Sequence, residues 1–519
     1  MRPLRRCLPL LLALASCRGE KATPAAASSP LAVTDSLQGL SGPARDSLHH
    51  IGEGDEFIQV TWLKALNNVV TGKPFLEDVE RFGMLRDPAD SNGLPIGLSA
   101  LKPSDVGHVS DKMVGFTCAS CHTGTLTYKG TRLIIEGGPA LIDAERFERE
   151  LVASMDALKS PKELLAFSSR VRAQGSSTDT AARKVSVSDI GSLLKDFQLR
   201  FDSFRAIKRL LEMTERTDPG YGRIDAFGTG RDLLFPDSKL GLVAPVRYPK
   251  VWDAYRHKWL HWDANTNSVM ERNLGQAIAA GAVFDPKTKH STLLPENLYA
   301  LEELVKRIQP PKWPAGLVGP IDAALAREGR PIYQQQCERC HAMRDVAERD
   351  TLIPYKDIGT DPQRAVTSAI PLKGGGQYAV VAGELLREAK DSAFRQHGIT
   401  PERGRLMEGE RAKSVWRVTQ AYASRPLTSV WATAPYLHNG SVPTLYDLLL
   451  PPSKRPATFV MGSHEFDPKR VGLVTDSSRT APPFVYDTHK LGNSNAGHSY
   501  GTELAEPQRL RLLEYLKTL

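Results

Sequence analysis

The sequence predicts a mainly α protein of two domains, in which loop-rich and helical insertions separate the defining helices. Three observations support this prediction. The pattern Cys-x-x-Cys-His occurs twice, at 118–122 and at 337–341. Apolar residues recur at helical spacing from Phe57 to Val70. The segment 506–519 places Leu512, Leu513, Leu516 and Leu519 on one side of a terminal helix.

The two pentapeptides have the form of the attachment signal of a c-type haem. Two closely spaced thiols add across the vinyl groups of one porphyrin, and the adjoining His then lies under the iron as an axial ligand. The sequence therefore predicts two covalently bound haem c groups, one held by Cys118, Cys121 and His122 and one held by Cys337, Cys340 and His341.

Two other interpretations of a Cys-x-x-Cys pair are a redox disulfide and half of a zinc site. A zinc site would pool cysteines from two distant motifs and leave both trailing histidines unexplained. The cysteine inventory favours haem, because the chain has six cysteines and the motifs account for four of them. The other two, Cys7 and Cys17, lie near the N-terminus.

The N-terminal segment has the features of an export signal. Arg2, Arg5 and Arg6 precede a short apolar run, which ends in Leu14-Ala-Ser-Cys17. Small residues before a cysteine resemble the lipobox of bacterial lipoproteins, so we expect a signal peptide at 1–16 and lipidation of Cys17. The alternative is an ordinary cleaved signal. Haem attachment of this kind occurs outside the cytoplasm, which agrees with export to the periplasmic side of the cell envelope; Arg18 favours the outer membrane.

Composition divides the rest of the chain. Residues 17–50 are rich in Ala, Ser, Pro and Gly and predict a flexible tether. An N-terminal domain is predicted at 51–315, with short strand-like runs after the first motif and a helical insertion over 144–215. The net charge of +8 is mild for 519 residues, and no nucleic-acid motif is present.

The C-terminal domain is predicted at 316–519, after the stiff segment Pro310-Pro-Lys-Trp-Pro314. A helix over 321–333 leads into the second motif, loops follow, and a helix ends the chain. That order is the layout of a cytochrome c domain. The predicted fold is therefore mainly α, with two cytochrome c-like haem domains and loop-rich and helical insertions.

With these motifs, the chain resembles the bacterial di-haem cytochrome c peroxidase superfamily, especially the branch that contains the rubber oxygenases. Besides the two pentapeptides, the run Ala434-Pro-Tyr-Leu-His-Asn-Gly-Ser441 and the segment Gly497-His-Ser-Tyr-Gly-Thr502 carry the resemblance. The resemblance implies a catalytic N-terminal haem with His122 as proximal ligand, and a six-coordinate C-terminal haem for electron transfer.

The resemblance also implies a sixth ligand for the C-terminal haem. His498 matches the distal histidine of the rubber-oxygenase branch. Met461 is the alternative that peroxidases suggest, and His438 is a further candidate, although its motif favours a hydrogen bond beside the haem.

Candidates for the distal side of the first haem lie between 245 and 273. Trp252 matches the family's tryptophan between the haems, with core packing as the alternative. Peroxidases place a proton-transferring Glu here, and this chain has Glu271 beside Arg272, with Arg272 in the matching register. Trp262 and Asn267 are further candidates for the pocket wall.

Three functions remain open from the sequence. The first is reduction of hydrogen peroxide with electrons from a small cytochrome or cupredoxin. The second is cleavage of a hydrophobic substrate with O₂, and the third is electron transfer without catalysis. The resemblance allows a Ca²⁺ ion between the domains, for which the sequence shows no oxygen-ligand motif. The oligomeric state is not indicated.

Overall fold

A computed structural model of the chain describes ten parts of it: residues 32–35, 38–40, 42–102, 111–174, 217–228, 235, 244–342, 351–409, 413–475 and 483–519. The predicted signal peptide, Cys17 and the first part of the predicted tether lie outside these described residues. The second half of the predicted helical insertion, from 175 to 216, lies outside them as well.

Helices are distributed along the described residues. The α-helices are Pro43–His50, Val60–Ala65, Cys118–His122, Ala144–Ala157, Pro161–Gln174, Val269–Ala279, Pro295–Val305, Ala315–Val318, Ala323–Gln336, Glu338–His341, Tyr355–Ile358, Gln363–Thr367, Tyr378–Gln396, Pro401–Glu408, Leu445–Leu448 and Glu506–Leu516. Short 3₁₀ helices are Phe75–Phe82, Ala254–Arg256, Val430–Ala432 and Pro452–Lys454.

Short strands are distributed along the whole chain. They are Ala32–Asp35, Ile58–Gln59, Leu98–Leu101, Met113–Phe116, Thr123–Tyr128, Thr131–Glu136, Arg223–Ile224, Val246–Arg247, Leu352–Pro354, Ala421–Ala423, Thr458–Met461, Phe466–Asp467, Gly472–Leu473 and Phe484–Asp487. The fold is thus mixed α and β, and the prediction of a mainly α protein was only partly correct. Most of these strands have only two to four residues, which is too short for an alternating pattern to be recognised in the sequence.

Two three-stranded sheets hold the first motif. Met113–Phe116, the central strand of one sheet, leads into the helix Cys118–His122. Thr123–Tyr128 leads out of that helix and pairs antiparallel with Thr131–Glu136, so that Thr123 lies opposite Glu136. The strand-like runs predicted after the motif are confirmed. His122 therefore sits at a fixed junction between two sheets.

The predicted tether over 17–50 is wrong for its last part. Residues Pro43–His50 form a helix whose Leu48 and His49 are buried. Ala32–Asp35 pairs in parallel with Thr131–Glu136. Pro43 suits the first turn of a helix, because its missing N–H has no intrahelical acceptor there. The Ala- and Ser-rich composition predicted a tether because the contacts that order this segment are made with distant residues near the first motif.

The entry and terminal helices of the C-terminal region cross closely. Ala323–Gln336 packs on Glu506–Leu516, where Gly329 lies against the Arg511 carbonyl so tightly that a Cβ would collide with it. Tyr333 and Tyr515 pack with ring centres 5.1 Å apart at the same crossing. The two helices predicted here from periodicity are confirmed, although the first begins two residues and ends three residues later than predicted, and the second ends three residues earlier.

The largest hydrophobic core includes residues on both sides of the predicted boundary near 315. Trp252 and Leu301 belong to it, as do Tyr333, Trp431 and Leu512. The division at 315 stays a prediction. Among the described residues, no helix combines the length and apolar character needed to cross a bilayer.

Candidate functional site

The helix that carries the first motif is held at its N-terminus by side-chain caps. The Thr117 hydroxyl accepts a hydrogen bond from the Ala119 N–H at 3.3 Å, and the Thr117 N–H donates to the Ser120 hydroxyl at 3.2 Å. Gly97 (φ +95°) lies against the Ser120 backbone, where any side chain would collide. These contacts fix the direction in which His122 leaves the helix.

One ring nitrogen of His122 is occupied by the protein. Its Nδ1–H donates to the Pro249 carbonyl at 2.9 Å, which leaves Nε2 as the unprotonated nitrogen. Burial lowers the pKa of His122 to about 4, so the ring is neutral at physiological pH. A neutral imidazole with a fixed tautomer is the form that binds a metal ion.

The second motif has the same arrangement. His341 donates from Nδ1 to the Arg425 carbonyl at 2.7 Å, and burial lowers its pKa. The Tyr333 hydroxyl donates to the His341 carbonyl at 2.7 Å and ties the short motif helix to the preceding one. Both motif histidines are therefore oriented by a backbone carbonyl on their far side.

His498 faces His341 across an open space. Their ring centres are 6.3 Å apart, and the ring planes are inclined by 42°. Two metal–nitrogen bonds of about 2 Å each, plus roughly 1.1 Å from each nitrogen to its ring centre, add up to about this separation. His498 Nδ1 is buried without a hydrogen-bond partner in the described part of the chain. Burial lowers the pKa of His498 to about 3.

A buried arginine holds the loop that carries His498. Arg455 donates from Nη1 to the carbonyls of Asn495 at 2.6 Å and Gly497 at 2.9 Å. Its Nη2 donates to the His498 carbonyl at 3.2 Å, and its Nε donates to the Leu450 carbonyl at 3.0 Å. Because His498 adopts a left-handed backbone conformation (φ +46°), these contacts compensate for local strain.

The other two candidates for the sixth ligand lie differently. Met461 is buried in the strand Thr458–Met461 and belongs to the hydrophobic core, not to the cavity wall. His438 does reach the cavity, but its ring stacks on Tyr422 with centres 4.2 Å apart. Burial lowers the pKa of His438 to about 3, which keeps this ring neutral.

A large cavity connects the second motif with the predicted distal region of the first. Its wall includes Cys337, Cys340, His341 and His498 of the second motif region, and also Trp252, Leu260, His261, Trp262 and Arg272. Most of the remaining wall is apolar, with Val251, Ile353, Leu427, Leu437 and Leu448 among its members.

Two predicted tryptophans line this cavity in fixed orientations. The Trp252 indole N–H donates to the Thr428 carbonyl at 3.1 Å, and the side chain is fully buried. The Trp262 indole N–H donates to the Arg247 carbonyl at 3.2 Å, with the Arg247 guanidinium 4.9 Å from its ring centre. Both indoles present their apolar rings to the cavity, since their polar atoms are satisfied elsewhere.

Glu271 and Arg272 point to different surroundings. Glu271 is completely buried, and its carboxylate accepts from Lys390 at 2.9 Å, from Trp416 at 2.7 Å and from the Ser414 hydroxyl. It is not among the described residues that line the cavity. A carboxylate whose oxygens have three donors is poorly placed to exchange protons with a substrate, and this arrangement does not match the role predicted for Glu271.

Arg272 lines the cavity and forms an ion pair with Glu302. Its positive charge also contributes to lowering the pKa of His122, after burial. Asn267 lies apart from the cavity: its amide donates to the Lys413 carbonyl at 3.0 Å and accepts from the Val415 N–H at 2.7 Å.

His261 is a cavity residue that the sequence interpretation missed. Its Nδ1 hydrogen-bonds to Asn265 Oδ1 at 2.7 Å, so that Nε2 is the unprotonated nitrogen of the neutral ring. Burial, helped by the charge of Arg364, lowers its pKa to about 3. In the sequence His261 directly precedes Trp262, a predicted pocket residue, but a single histidine in a loop forms no spacing pattern that would identify it.

The loop that carries His261 is held by a buried ion pair. Arg364 donates to both oxygens of Asp263, at 2.8 and 2.9 Å, and both side chains are almost fully buried. The Arg364 guanidinium also lies 3.4 Å from the ring centre of Phe227. These contacts fix the loop from a distant part of the sequence, which explains why periodicity did not reveal it.

Glu53 is a second group that the sequence did not indicate. It lies beside the Cys118 sulfur and within the electrostatic influence of Arg272. Burial raises the pKa of Glu53 to about 7, which makes it a carboxyl group that titrates near neutrality next to the first motif.

The residues at the second motif fit a haem c group. The two cysteines and the facing histidines lie on the wall of one cavity, and a buried nitrogen of His498 lacks a protein partner. At the first motif the cysteines and the oriented His122 supply the same donors. The described lining of the cavity does not include them, but it includes Pro249, whose carbonyl accepts from His122, and Arg272. Such donor sets suit iron held by thioethers and imidazole.

Comparison with known proteins agrees with this donor set. Residues 421–460 match the family model described as RoxA-like, cytochrome c-like. The matched segment contains the Ala-Pro-Tyr-Leu-His-Asn-Gly-Ser run and ends just before Met461. This match implies covalently bound haem c and supports the RoxA-like part of the predicted resemblance. Membership of the di-haem peroxidase superfamily stays a prediction.

Two curated proteins of Sinorhizobium fredii are similar to this chain. The uncharacterized protein y4iJ is 31% identical over 564 aligned positions, which cover 93% of this chain and 92% of that protein. The uncharacterized protein y4iM is 30% identical over 279 positions, covering 51% of this chain and 59% of that protein. The chain therefore belongs to the family of y4iJ, and its RoxA-like segment indicates a haem-containing oxidoreductase.

Proposed function

We propose that this chain is a di-haem c-type oxidoreductase that reduces hydrogen peroxide, with electrons entering at the second motif and used at the first. The observation that supports this proposal is the single cavity whose wall includes the His341–His498 pair, Trp252 and the pair His261 and Arg272. The proposal includes export to the periplasmic side of the envelope and a lipid anchor at Cys17. The electron donor is a small redox protein, a cytochrome or a cupredoxin.

The two histidines of the second motif region suit electron transfer. His341 and His498 occupy opposite sides of one space, so these two residues would hold a haem iron between them and would exclude a small molecule from it. The Arg425 carbonyl fixes the His341 ring, and the Arg455 contacts fix the loop of His498. These contacts limit the movement of the two side chains when the charge of a metal centre between them changes. Trp252, fixed by Thr428, belongs to the hydrophobic core against which Cys118 and Cys337 both pack, so it offers an aromatic side chain near both motifs.

Cys118, Cys121 and His122 would hold a haem that would supply the redox chemistry for reducing peroxide. The reaction consumes one H₂O₂, two electrons and two protons and yields two molecules of water. His261, neutral and with Nε2 unprotonated, accepts a proton inside the cavity, and Arg272 stabilises negative charge that develops there. Glu271 does not take the proton-accepting role, because its carboxylate oxygens already accept hydrogen bonds from Lys390, Trp416 and Ser414.

A second candidate function is O₂-dependent cleavage of a hydrophobic substrate. The RoxA-like match and the apolar wall, which includes Val251, Leu260 and Leu437, favour it. Both oxygen atoms then enter the two products of a cleaved carbon–carbon double bond, and no external electrons are consumed. A third function, electron transfer without catalysis, requires that neither haem reacts with either oxidant.

The deciding experiment uses the haem-loaded full-length protein. Peroxide consumption is measured with a reduced small cytochrome c as donor, and O₂ uptake is measured separately with a polyisoprene emulsion. Donor oxidation at two electrons per peroxide is expected, with a rate that His261→Gln lowers about 100-fold. O₂ uptake with formation of carbonyl products, without donor, would instead favour the oxygenase. Inertness in both assays, with two low-spin haems in the EPR spectrum, would leave an electron carrier.

A further inference from the structure

Two adjacent histidines and an aspartate converge at the end of the helix Pro43–His50. His50 Nε2 lies 3.0 Å from Asp87 Oδ2, and His49 Nδ1 lies 3.9 Å from the same oxygen. One ligand atom from each of the three residues lies within 4.8 Å of the other two. His49 is buried, and the side chains of His50 and Asp87 are only slightly exposed.

The far nitrogen of each histidine is bound by an acceptor that carries no proton. His49 Nε2 lies 2.9 Å from Glu136 Oε1, and His50 Nδ1 lies 2.8 Å from the Leu98 carbonyl oxygen. The same Glu136 oxygen also accepts a hydrogen bond from Arg45 Nε at 2.9 Å, and the Leu98 carbonyl oxygen can only accept. Both far nitrogens must therefore carry the ring proton and donate it.

This assignment leaves three electron pairs facing one another. In neutral rings, His49 Nδ1 and His50 Nε2 are unprotonated, and both face the Asp87 carboxylate. A nitrogen lone pair 3.0 Å from a carboxylate oxygen is repulsive unless a cation lies between them. That cation is either a proton on His50 or a metal ion shared by all three groups.

We propose that His49, His50 and Asp87 bind a divalent transition metal ion, with zinc as the best match. Two imidazole nitrogens and one carboxylate oxygen are a usual zinc ligand set, and tetrahedral bonds of about 2 Å separate neighbouring ligand atoms by about 3.3 Å. The observed separations of 3.0 and 3.9 Å bracket that value. A hard, oxygen-preferring ion such as Ca²⁺ fits two imidazoles poorly.

The contacts behind the ligands strengthen this assignment. Metal-binding histidines usually donate their second N–H to a carboxylate or a backbone carbonyl, and here Glu136 and the Leu98 carbonyl occupy those positions. A surface pocket beside His50 and Asp87, also lined by Asp46 and Asp90, provides an entry path and room for a water molecule as fourth ligand.

The site lies next to the first haem-attachment helix. The His49 carbonyl accepts a hydrogen bond from the Thr117 hydroxyl at 2.9 Å, and Thr117 caps that helix. Glu136 also accepts from the hydroxyl of Thr123, the residue after His122. An ion bound here would join the helix Pro43–His50 to the loop around Asp87 and stiffen the support of the first motif.

Zinc content tests the proposal on the haem-loaded full-length protein. The protein is stripped with a chelator, incubated with zinc chloride, desalted, and analysed for zinc per chain by mass spectrometry. Wild type and Asp46→Asn, the matched control in the same pocket, are expected to retain one zinc per chain. Asp87→Asn and His50→Gln are expected to retain none.

Thermal unfolding provides a second measurement that guards against misfolded variants. Zinc should raise the melting temperature of wild type and of Asp46→Asn, and it should not change that of Asp87→Asn. Without zinc, Asp87→Asn should melt no lower than wild type, because its amide can donate to His50 Nε2. The proposal is overturned if wild type retains no zinc, or if Asp87→Asn and His50→Gln retain as much as wild type.

Discussion

The imidazole rings of His341 and His498 face each other with centres 6.3 Å apart, although 157 positions of the sequence separate the two residues (341 to 498). The Arg425 carbonyl orients the first ring, and the Arg455 contacts hold the loop of the second. Both rings are thereby held in place at the separation that two ligands of one metal centre would have.

Replacing His498 with alanine should change the spin state at the second motif. Loss of the facing imidazole opens one axial position, so the low-spin EPR signal of this haem should be replaced by a high-spin signal. Met461→Leu and His438→Gln are the matched controls, since neither side chain faces His341 in the same way. If Met461→Leu gave the spin change and His498→Ala did not, the ligand assignment would be wrong.

Arg455→Lys should loosen the sixth ligand without removing it. A lysine cannot reach the carbonyls of Leu450, Asn495, Gly497 and His498 together, and hydrogen bonds from a charged donor contribute roughly 1.5–3 kcal/mol each. We expect a mixture of low-spin and high-spin signals and a lower melting temperature. Arg405→Lys, at an exposed pair with Glu402, should change neither. An unchanged EPR spectrum of Arg455→Lys would contradict the clamping role.

Glu271→Gln should mainly lower stability, whereas His261→Gln should mainly lower peroxide turnover. Glu271 is buried against Lys390 and Trp416, so its replacement leaves Lys390 with less compensation and should cost about 3 kcal/mol of stability, with little change in kcat. His261→Gln should lower kcat about 100-fold and change stability little. Both are measured by steady-state kinetics and thermal unfolding. A large loss of kcat in Glu271→Gln at unchanged KM would restore Glu271 as the proton-transfer group.

Glu53 should make stability depend on pH. Because burial raises its pKa from 4.5 to about 7, the folded state holds this proton more tightly than the unfolded state does. The stabilising contribution is complete below pH 4.5 and is lost as the pH rises through about 7, which amounts to about 3 kcal/mol. Melting temperatures at a series of pH values should show this decline in wild type and a smaller one in Glu53→Gln. Parallel curves for the two proteins would refute the assignment.

Parts of the fold were predictable because they depend on local patterns. The helices leading to and ending the C-terminal region follow from their apolar periodicity, and the strands after His122 follow from short β-branched runs between glycines. The helix Pro43–His50 was missed because its composition is that of a linker. Its stability comes from burying Leu48 and His49 against the first motif, which no local pattern records.

The candidate site divides in a similar way. The sequence motifs identified His122 and His341, and the resemblance indicated His498 among three candidates. The neighbouring Glu271 and Arg272 could not be separated by sequence, because adjacent helical residues point about 100° apart and only packing decides which one faces the cavity. His261, Glu53 and Arg455 carried no pattern, since each acts through contacts with distant segments.

The sequence by itself determined the covalent chemistry of this protein, because Cys-x-x-Cys-His is a local signal in which neighbouring residues meet one porphyrin. Only the tertiary structure decided which side chains surround the motifs. It brought His498 to His341, turned Glu271 toward Lys390 and assembled His49, His50 and Asp87. Those choices depend on long-range packing and on the cost of leaving buried polar groups without partners, and neither is written in any short stretch of sequence.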